Sequence, residues 1–374
     1  MQVKIDQPHL STDKERDLAI ADHISEYHSG EVSTINKDTE EPSGFIRNKP
    51  ETMGIIEMSH DGIIIHKIDE NGLYSSRSDG KFATGTTYEI NANAREWCIY
   101  PTSLGYFNIY ISGVKHKIDI LKKVVFANES GLWFIYFDTS ANIQTSKTFS
   151  LEYFEDSPIT SLVYGNATTQ ELVLLADERH GIKMDGDTHR YLHFKEGMII
   201  DKSYPDGMLI NGLSSGSGVY TSINDGWAYD EDIRMYLPEQ TNTPFLYLDG
   251  NEWRIQTDGL DLGLLINGVA QFNLNTNGIY SLSPIVANDA AITFFIATNN
   301  KIFPYLKMIS QKSYATISEA KDDIDKAYYD IKLAGLPSPE FRPIGAIIVN
   351  KDGELQLLND GSLYLDLRNI DSWR

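Results

Sequence analysis

The chain has 374 residues, a hydrophobic content of 41% and a formal net charge of −21. This length and composition allow two or three folded domains. Because the acidic residues are spread along the whole chain, a basic face for nucleic-acid binding is excluded. A single cysteine, Cys98, excludes an internal disulfide and a cysteine-ligated metal cluster.

Residues 1–50 are polar and contain few large apolar side chains. They lack the basic and apolar regions of a secretory signal, and no run in the chain approaches the ~18 apolar residues of a membrane span. We therefore expect a protein that is made in the cytoplasm and is not inserted into a membrane. We predict that residues 1–50 form an attachment arm, ordered by docking on a neighbouring subunit through Phe45, Ile46 and Arg47. The alternative is a disordered terminus.

Residues 51–195 show the alternation of apolar and polar residues that is typical of short strands. The run at 131–137 is apolar on both faces, which predicts a central, buried strand. Residues 159–164 and 171–176 predict a hairpin. Frequent Asp-Gly and Asn-Gly pairs supply the tight turns. We predict an antiparallel β-sandwich-like domain here.

Residues 196–374 predict a second, turn-rich β domain that contains one amphipathic helix. Thr316 and Glu319 form a capping-box pattern at the start of this helix. Gly335 is expected to follow its end, which gives a helix over 316–334. The helix is expected to pack on a small C-terminal β unit, and the fold class is mainly β.

The segment 177–194 combines three histidines with several acids in a polar corner between the two halves. His180, His189 and His193, with Asp185 and Asp187, are the candidate metal ligands. His189 and His193 would share one face of a helix, but the sequence after the Asp-Gly pair has poor helical character. On a strand they would lie ~13 Å apart, too far for one ion. We therefore predict a structural hydrogen-bonded network and neither a metal nor a cofactor.

Clustered acids raise the alternative of a glycosidase, which needs two carboxylates across a cleft. The clusters are Asp230-Glu231-Asp232 and Glu152 with Glu155 and Asp156. Sequence neighbours on a strand point to opposite faces, and so many acids produce such clusters by chance. We find no nucleophile-elbow sequence and predict no catalytic residues and no enzyme activity.

Four aromatic residues lie among Asn, Asp and Gly in the turn-rich half: Trp227, Tyr229, Tyr236 and Trp253. Aromatic side chains with polar neighbours are typical of surfaces that bind sugars or protein partners. The alternative is that they fill the core of a β fold. These residues are the candidate glycan or partner surface.

Several segments together resemble structural proteins of tailed-bacteriophage particles, of the tail-fibre, spike, head-fibre or adaptor type. The segments are PSGFIRNKPE (42–51), GLWFIYFD (131–138), DERHGIKMDGDTHRYLH (177–193), DGWAYDEDI (225–233), GLPSPEF (335–341) and YLDLR (364–368). The third of these is the polar corner.

The resemblance implies a non-enzymatic component of the virion that forms homo-oligomers, with a trimer favoured. It implies attachment to other virion proteins through the N-terminal arm and contact with a host-surface glycan or protein. The chain lacks a long fibre repeat, which favours a compact fibre head, a short fibre or an adaptor. The alternative is a tail-spike protein that binds or depolymerises glycan.

Overall fold

Short antiparallel strands joined by tight turns make up most of the computed structural model, which confirms the mainly β prediction. The structure describes residues 56–60, 63–69, 72–74, 85–102, 105–111, 114–154, 157–180, 186–257, 259–333 and 335–370. The predicted arm, with Phe45, Ile46 and Arg47, lies outside these ranges. The first strands are β1 (Ile56–His60), β2 (Ile63–Asp69) and β3 (Gly72–Tyr74), and β1 pairs with β2 in antiparallel fashion.

Residues 86–177 form three small sheets around one shared core. The first sheet comprises β4 (Thr86–Asn91), β5 (Glu96–Pro101) and β8 (Lys122–Val125). A hairpin is formed by β6 (Phe107–Ile111) and β7 (Val114–Ile118). The third sheet has the order β10 (Ile143–Ser146), β9 (Gly131–Phe137), β11 (Ile159–Gly165), β12 (Leu172–Asp177). The predicted hairpin at 159–176 is therefore confirmed.

Strand β9 is an inner strand of its sheet and is covered on both faces, as its apolar run predicted. Trp133 and Ile135 point into the core shared with the first sheet and the β6–β7 hairpin. Phe134 points to the opposite face, into a core that extends to the C-terminal half of the chain. Because alternate residues of a strand face opposite sides, both sets of positions must be apolar.

The turn-rich region contains three further small sheets. One comprises β13 (Met198–Ile200), β16 (Gly226–Asp230) and β17 (Ile233–Leu237). Another pairs β14 (Ile210–Asn211) with β15 (Ser222–Ile223). The third comprises β20 (Leu265–Ile266), β21 (Val269–Thr276) and β22 (Ile279–Pro284). In the third, Asn267 and Asn277 adopt positive φ at the turns, as the Asn-Gly pairs predicted.

The largest sheet has seven strands and lies in the C-terminal half. Its order is β19 (Glu252–Gln256), β18 (Phe245–Asp249), β24 (Tyr305–Ile309), β23 (Ala290–Thr298), β25 (Phe341–Asn350), β26 (Leu355–Gln356), with β27 (Leu365–Asp366) also pairing with β25. All pairs are antiparallel except β18 with β24. The predicted C-terminal β unit is therefore part of a larger sheet. The division of the chain at residues 195 and 196 stays a prediction.

Two helices accompany these sheets in the described part of the chain. The first, α1 (Gly186–Tyr191), continues into a π-helical turn at Leu192–Glu196. The second, α2 (Ile317–Ala327), packs on β23 and β25 as predicted. Neither helix is long and apolar enough to cross a membrane.

The end of α2 differs from the prediction, which placed it at residue 334. A 3₁₀ turn at Tyr328–Asp330 ends the helix, and Ile331 is extended. The Gln311 side chain accepts a hydrogen bond from the backbone N–H of Lys332 (2.9 Å) and donates one to its carbonyl (2.7 Å). These bonds hold the backbone in an extended form, so a tertiary contact overrides the local helical pattern.

The start of α2 generates a first prediction. The Thr316 hydroxyl accepts a hydrogen bond from the backbone N–H of Glu319 at 3.2 Å. We expect Thr316→Ala to lower the free energy of unfolding by about 1 kcal/mol, because an N-terminal backbone donor loses its partner. Thr316→Ser keeps the acceptor and is the matched control. Equal urea midpoints for the alanine variant and the wild type would contradict the capping role.

Candidate metal centre

A buried cluster of histidines and acids forms where the polar corner meets two distant parts of the chain. The corner follows β12 and contributes Glu178 and His180. The last residue of β16 is Asp230, and the turn before β17 contributes Glu231. Glu340 immediately precedes β25. The cluster therefore connects three regions that lie far apart in sequence.

Helix α1 and its π turn add His189 and His193, which lie on one face. The helix contradicts our expectation that this segment has poor helical character. His189 is fully buried and His193 is 8% exposed, and both rings pack against Phe154, with centroids 4.6 and 5.5 Å away. Burial of these rings stabilises a helical turn that its own propensity would not.

Glu231 lies at the centre of the three histidines. Its Oε2 is 2.8 Å from Nε2 of His189 and 3.6 Å from Nδ1 of His180. Its Oε1 is 3.3 Å from Nδ1 of His193. The backbone of Glu231 has a φ of 51°, a conformation that is uncommon for a residue other than glycine. The strained turn places this carboxylate among the rings.

The charged partners shift the pKa values of this group in opposite directions. Burial opposes ionisation of Glu231, but the neighbouring histidines outweigh burial and lower its pKa. Burial also opposes a positive charge on His180 and His193. Glu231 and other carboxylates outweigh that effect and raise the pKa of both rings.

Three further carboxylates are buried, and each has one oxygen that accepts no hydrogen bond from a described residue. Burial raises the pKa of Glu178, and it raises the pKa of Asp230 and Glu340 well above the ordinary range, with adjacent acids adding to the shift. One oxygen of each, namely Oε1 of Glu178, Oδ1 of Asp230 and Oε1 of Glu340, is buried and accepts no hydrogen bond from a described residue. Buried polar atoms without partners are uncommon and need an explanation.

The amide of Asn299 compensates this group only in part. Its Nδ2 lies within hydrogen-bond distance of a carboxylate oxygen of Asp230, of Oε2 of Glu340 (3.1 Å) and of the carbonyl oxygen of Asp177 (2.6 Å). An amide nitrogen has two hydrogens, so it cannot donate fully to three acceptors. The cluster therefore has more acceptors than donors.

The donor atoms are close enough to share a cation. Within each of four triplets, all ligand atoms lie within 4.8 Å of one another. Two triplets share no residue: His180, His189 and Glu231 form one, and Glu178, His193 and Glu340 form the other. Asp230 belongs to the remaining two. Imidazole and carboxylate donors without sulfur suit Zn²⁺, Mn²⁺ or Fe²⁺.

A neighbouring salt bridge fixes the corner beside the cluster. Asp177 is 2% exposed and accepts hydrogen bonds from Arg179 at 2.7 and 2.8 Å, and Lys301 lies 2.9 Å away. Arg179 also donates to the carbonyl and the hydroxyl oxygen of Thr86, both at 2.7 Å. These bonds join the corner to β4.

The predicted site residues divide into those inside and those outside the cluster. His180, His189 and His193 come together, whereas Asp187 is exposed and pairs with Arg190 at 2.7 Å. Asp185 lies outside the described residues. The interpretation of the histidines as hydrogen-bonded structural groups omitted five acids that meet them, at positions 178, 230, 231, 232 and 340. The acids at 230 and 231 were visible as a cluster in sequence, but nothing local distinguished Glu178 or Glu340.

The two acid clusters that raised the glycosidase alternative lie in different environments. Asp230 and Glu231 are buried among the histidines, and Asp232 contacts His180 at 2.9 Å. Glu152 is exposed, and its two predicted partners at 155 and 156 lie outside the described residues. The structure therefore brings the first cluster to a site.

The predicted aromatic surface is partly present. Trp227 pairs across the β16–β17 hairpin with Tyr236, which is 51% exposed, and the Arg234 guanidinium lies 4.2 Å from the Trp227 ring centre. Tyr229 is half-buried on the same strand as Trp227. Trp253 was wrongly placed on this surface. It is fully buried on β19, because it fills the core beneath the seven-stranded sheet.

Comparison with known proteins identifies no relative. No protein-family model, no curated protein and no solved structure matches the chain.

Asp177 generates a prediction about pH. Although burial opposes its ionisation, Arg179 and Lys301 lower its pKa below the ordinary value. Its contribution to stability is therefore present above the unfolded pKa of about 3.9 and is lost as the pH falls through the folded pKa. We expect Asp177→Asn to cost about 3 kcal/mol at pH 7, because Arg179 stays buried without its partner.

Urea unfolding in chelator-containing buffer between pH 7 and pH 2.5 measures this effect. The difference between wild type and variant should shrink toward the acid end. Asp187→Asn, which breaks an exposed ion pair, should change stability by less than about 1 kcal/mol. A constant difference across the pH range would contradict the assignment.

Proposed function

We propose that the chain is a metal-binding structural protein, with one or two divalent ions in the cluster joining the corner, the β16–β17 turn and the start of β25. The observation that carries this proposal is the excess of buried acceptors. Oxygens of Glu178, Asp230 and Glu340 accept no hydrogen bond from a described residue, yet they lie in triplets that contain histidine nitrogens. A divalent ion would supply the positive charge that such oxygens need.

Electrostatics favour a bound metal over protonation of the buried acids in this cluster. Four carboxylates and three imidazoles are buried together, so the apo-protein must protonate all three imidazoles and still one acid to neutralise this group. Metal binding would displace those protons. It would also link segments that lie far apart in the sequence, and would therefore stabilise the folded state.

Metal analysis of the purified full-length chain tests the proposal. After treatment with a chelator and dialysis against Zn²⁺, we expect one or two equivalents per chain and an increase in Tm. Glu231→Gln should lower Zn²⁺ affinity about 100-fold or more, because Glu231 contacts all three histidines. A parallel series with Mn²⁺ would establish the metal preference.

Asp187→Asn is the matched control, since it removes an acid of the same segment outside the cluster. It should bind Zn²⁺ as the wild type does. Circular dichroism of each metal-free variant distinguishes loss of a ligand from loss of the fold. Equal Zn²⁺ affinity of the folded wild type and the folded Glu231→Gln variant would refute a metal bound by Glu231.

We also propose that this metal-binding protein is a non-enzymatic component of a tailed-phage particle, located in the virion. The sequence resemblance supports this role, and one of its segments is the corner at 177–193. The half-buried Trp227 and the exposed Tyr236 on the β16–β17 hairpin would provide a surface for contact with a host glycan or protein. Residues 1–50 would attach the chain to other virion proteins.

Deletion of residues 1–50 tests the virion role. The truncated chain should fold, with an unchanged far-ultraviolet spectrum, but should not be incorporated into particles. Light scattering of the full-length protein should give about three times 42.1 kDa if it forms the trimer that is common in fibres. Release of reducing sugar from host polysaccharide would contradict the non-enzymatic role and favour the depolymerase alternative.

A further inference from the structure

A cavity of about 460 Å³ adjoins the metal cluster. Its walls are mainly apolar and include Leu132, Phe134, Tyr153, Phe154, Ile159 and Leu162. This volume lies within the range of about 300–1,000 Å³ that small-molecule sites occupy. The cavity is therefore large enough for an organic ligand of modest size.

The cavity reaches two of the cluster residues. Glu178 and His193 both line it, and both belong to the triplet that Glu340 completes. The triplet that shares no residue with it, formed by His180, His189 and Glu231, contributes no residue to the lining. An ion held by the first triplet would thus lie at the cavity wall, where a coordination position can be taken by a ligand.

The rim of the cavity exposes apolar surface. Phe149 is 43% exposed and Phe194 is 50% exposed, and their rings lie 5.9 Å apart in an edge-to-face arrangement. Both line the cavity. A ligand with an apolar body would cover these rings and remove their surface from water.

The charge of the cluster determines the chemistry of the ligand's head group. Without metal, the carboxyl groups of Glu178, Asp230 and Glu340 offer an anion no positive charge. With a divalent ion bound, an anionic oxygen donor completes the coordination. We propose that the cavity binds a small carboxylic acid with an aromatic or alkyl body, whose carboxylate coordinates the ion held by Glu178, His193 and Glu340. This inference rests on the proposed metal centre.

Calorimetric titration of the full-length chain with 4-phenylbutyrate tests the inference. We expect binding to the Zn²⁺-loaded protein to be at least about tenfold tighter than binding to the chelator-treated protein, a difference of about 1.4 kcal/mol. 4-Phenylbutylamine has the same apolar body and a cationic head. It should bind the Zn²⁺-loaded protein more weakly than the carboxylate does.

Phe149→Ala tests the position of the ligand, since Phe149 lies at the rim and outside the metal triplets. It should weaken 4-phenylbutyrate binding about tenfold without changing the Zn²⁺ content. Tyr106→Ala, which removes an exposed ring outside the cavity lining, should change neither.

The outcomes separate this inference from the metal proposal. If Zn²⁺ binds but the carboxylate binds equally with and without it, the ligand assignment is refuted and the metal centre stands. Preference for the amine would refute it as well. If Zn²⁺ does not bind, both proposals fail.

Discussion

The structure depends on the burial of an acid-rich cluster at the meeting point of its sheets. Carboxylates are costly to remove from water unless a cation or a set of donors compensates them. Here the compensation comes from three histidines and from Asn299, and it leaves acceptors without donors. Glu231 in the turn after β16 and Glu340 before β25 must therefore keep their positions relative to the corner. If they moved, the buried carboxylates would lose their contacts with the histidines and with Asn299.

The surrounding structure provides rigid supports for this cluster. Asn300, next to Asn299, accepts a hydrogen bond from the backbone N–H of Leu175 at 3.1 Å and donates one to the carbonyl of Val173 at 3.1 Å. These bonds join β12 to the end of β23. Arg179 holds the other side of the corner on β4. The polar contacts thus connect the small N-terminal sheets to the seven-stranded sheet, beside a continuous apolar core.

A metal centre and a structural role in a particle are compatible in physical terms. A metal that links distant segments stabilises a fold without catalysis, and a chain with a net charge of −21 resists unspecific association. The apolar cavity beside the cluster would couple the proposed metal to a small ligand. Trp227 and Tyr236 lie on the same hairpin as Asp230 but nearer its open end, and they would serve contacts with other molecules.

The sequence by itself determined the features that depend on near neighbours in the chain. The alternation of apolar and polar residues predicted the strands, and Asn-Gly and Asp-Gly pairs predicted the turns. Thr316 predicted the start of α2. Each of these patterns depends on only a few neighbouring residues. The clustering of His180, His189 and His193 in one segment was equally visible.

Only the tertiary structure decided how that segment is used. Contacts with Phe154 and Glu231 made it helical, and Gln311 ended α2 earlier than its apolar pattern implied. Glu340 contacts His193 from a position far along the chain. Trp253 is buried in the core because a sheet covers it. Periodicity describes one element at a time, whereas burial and charge compensation depend on which elements meet.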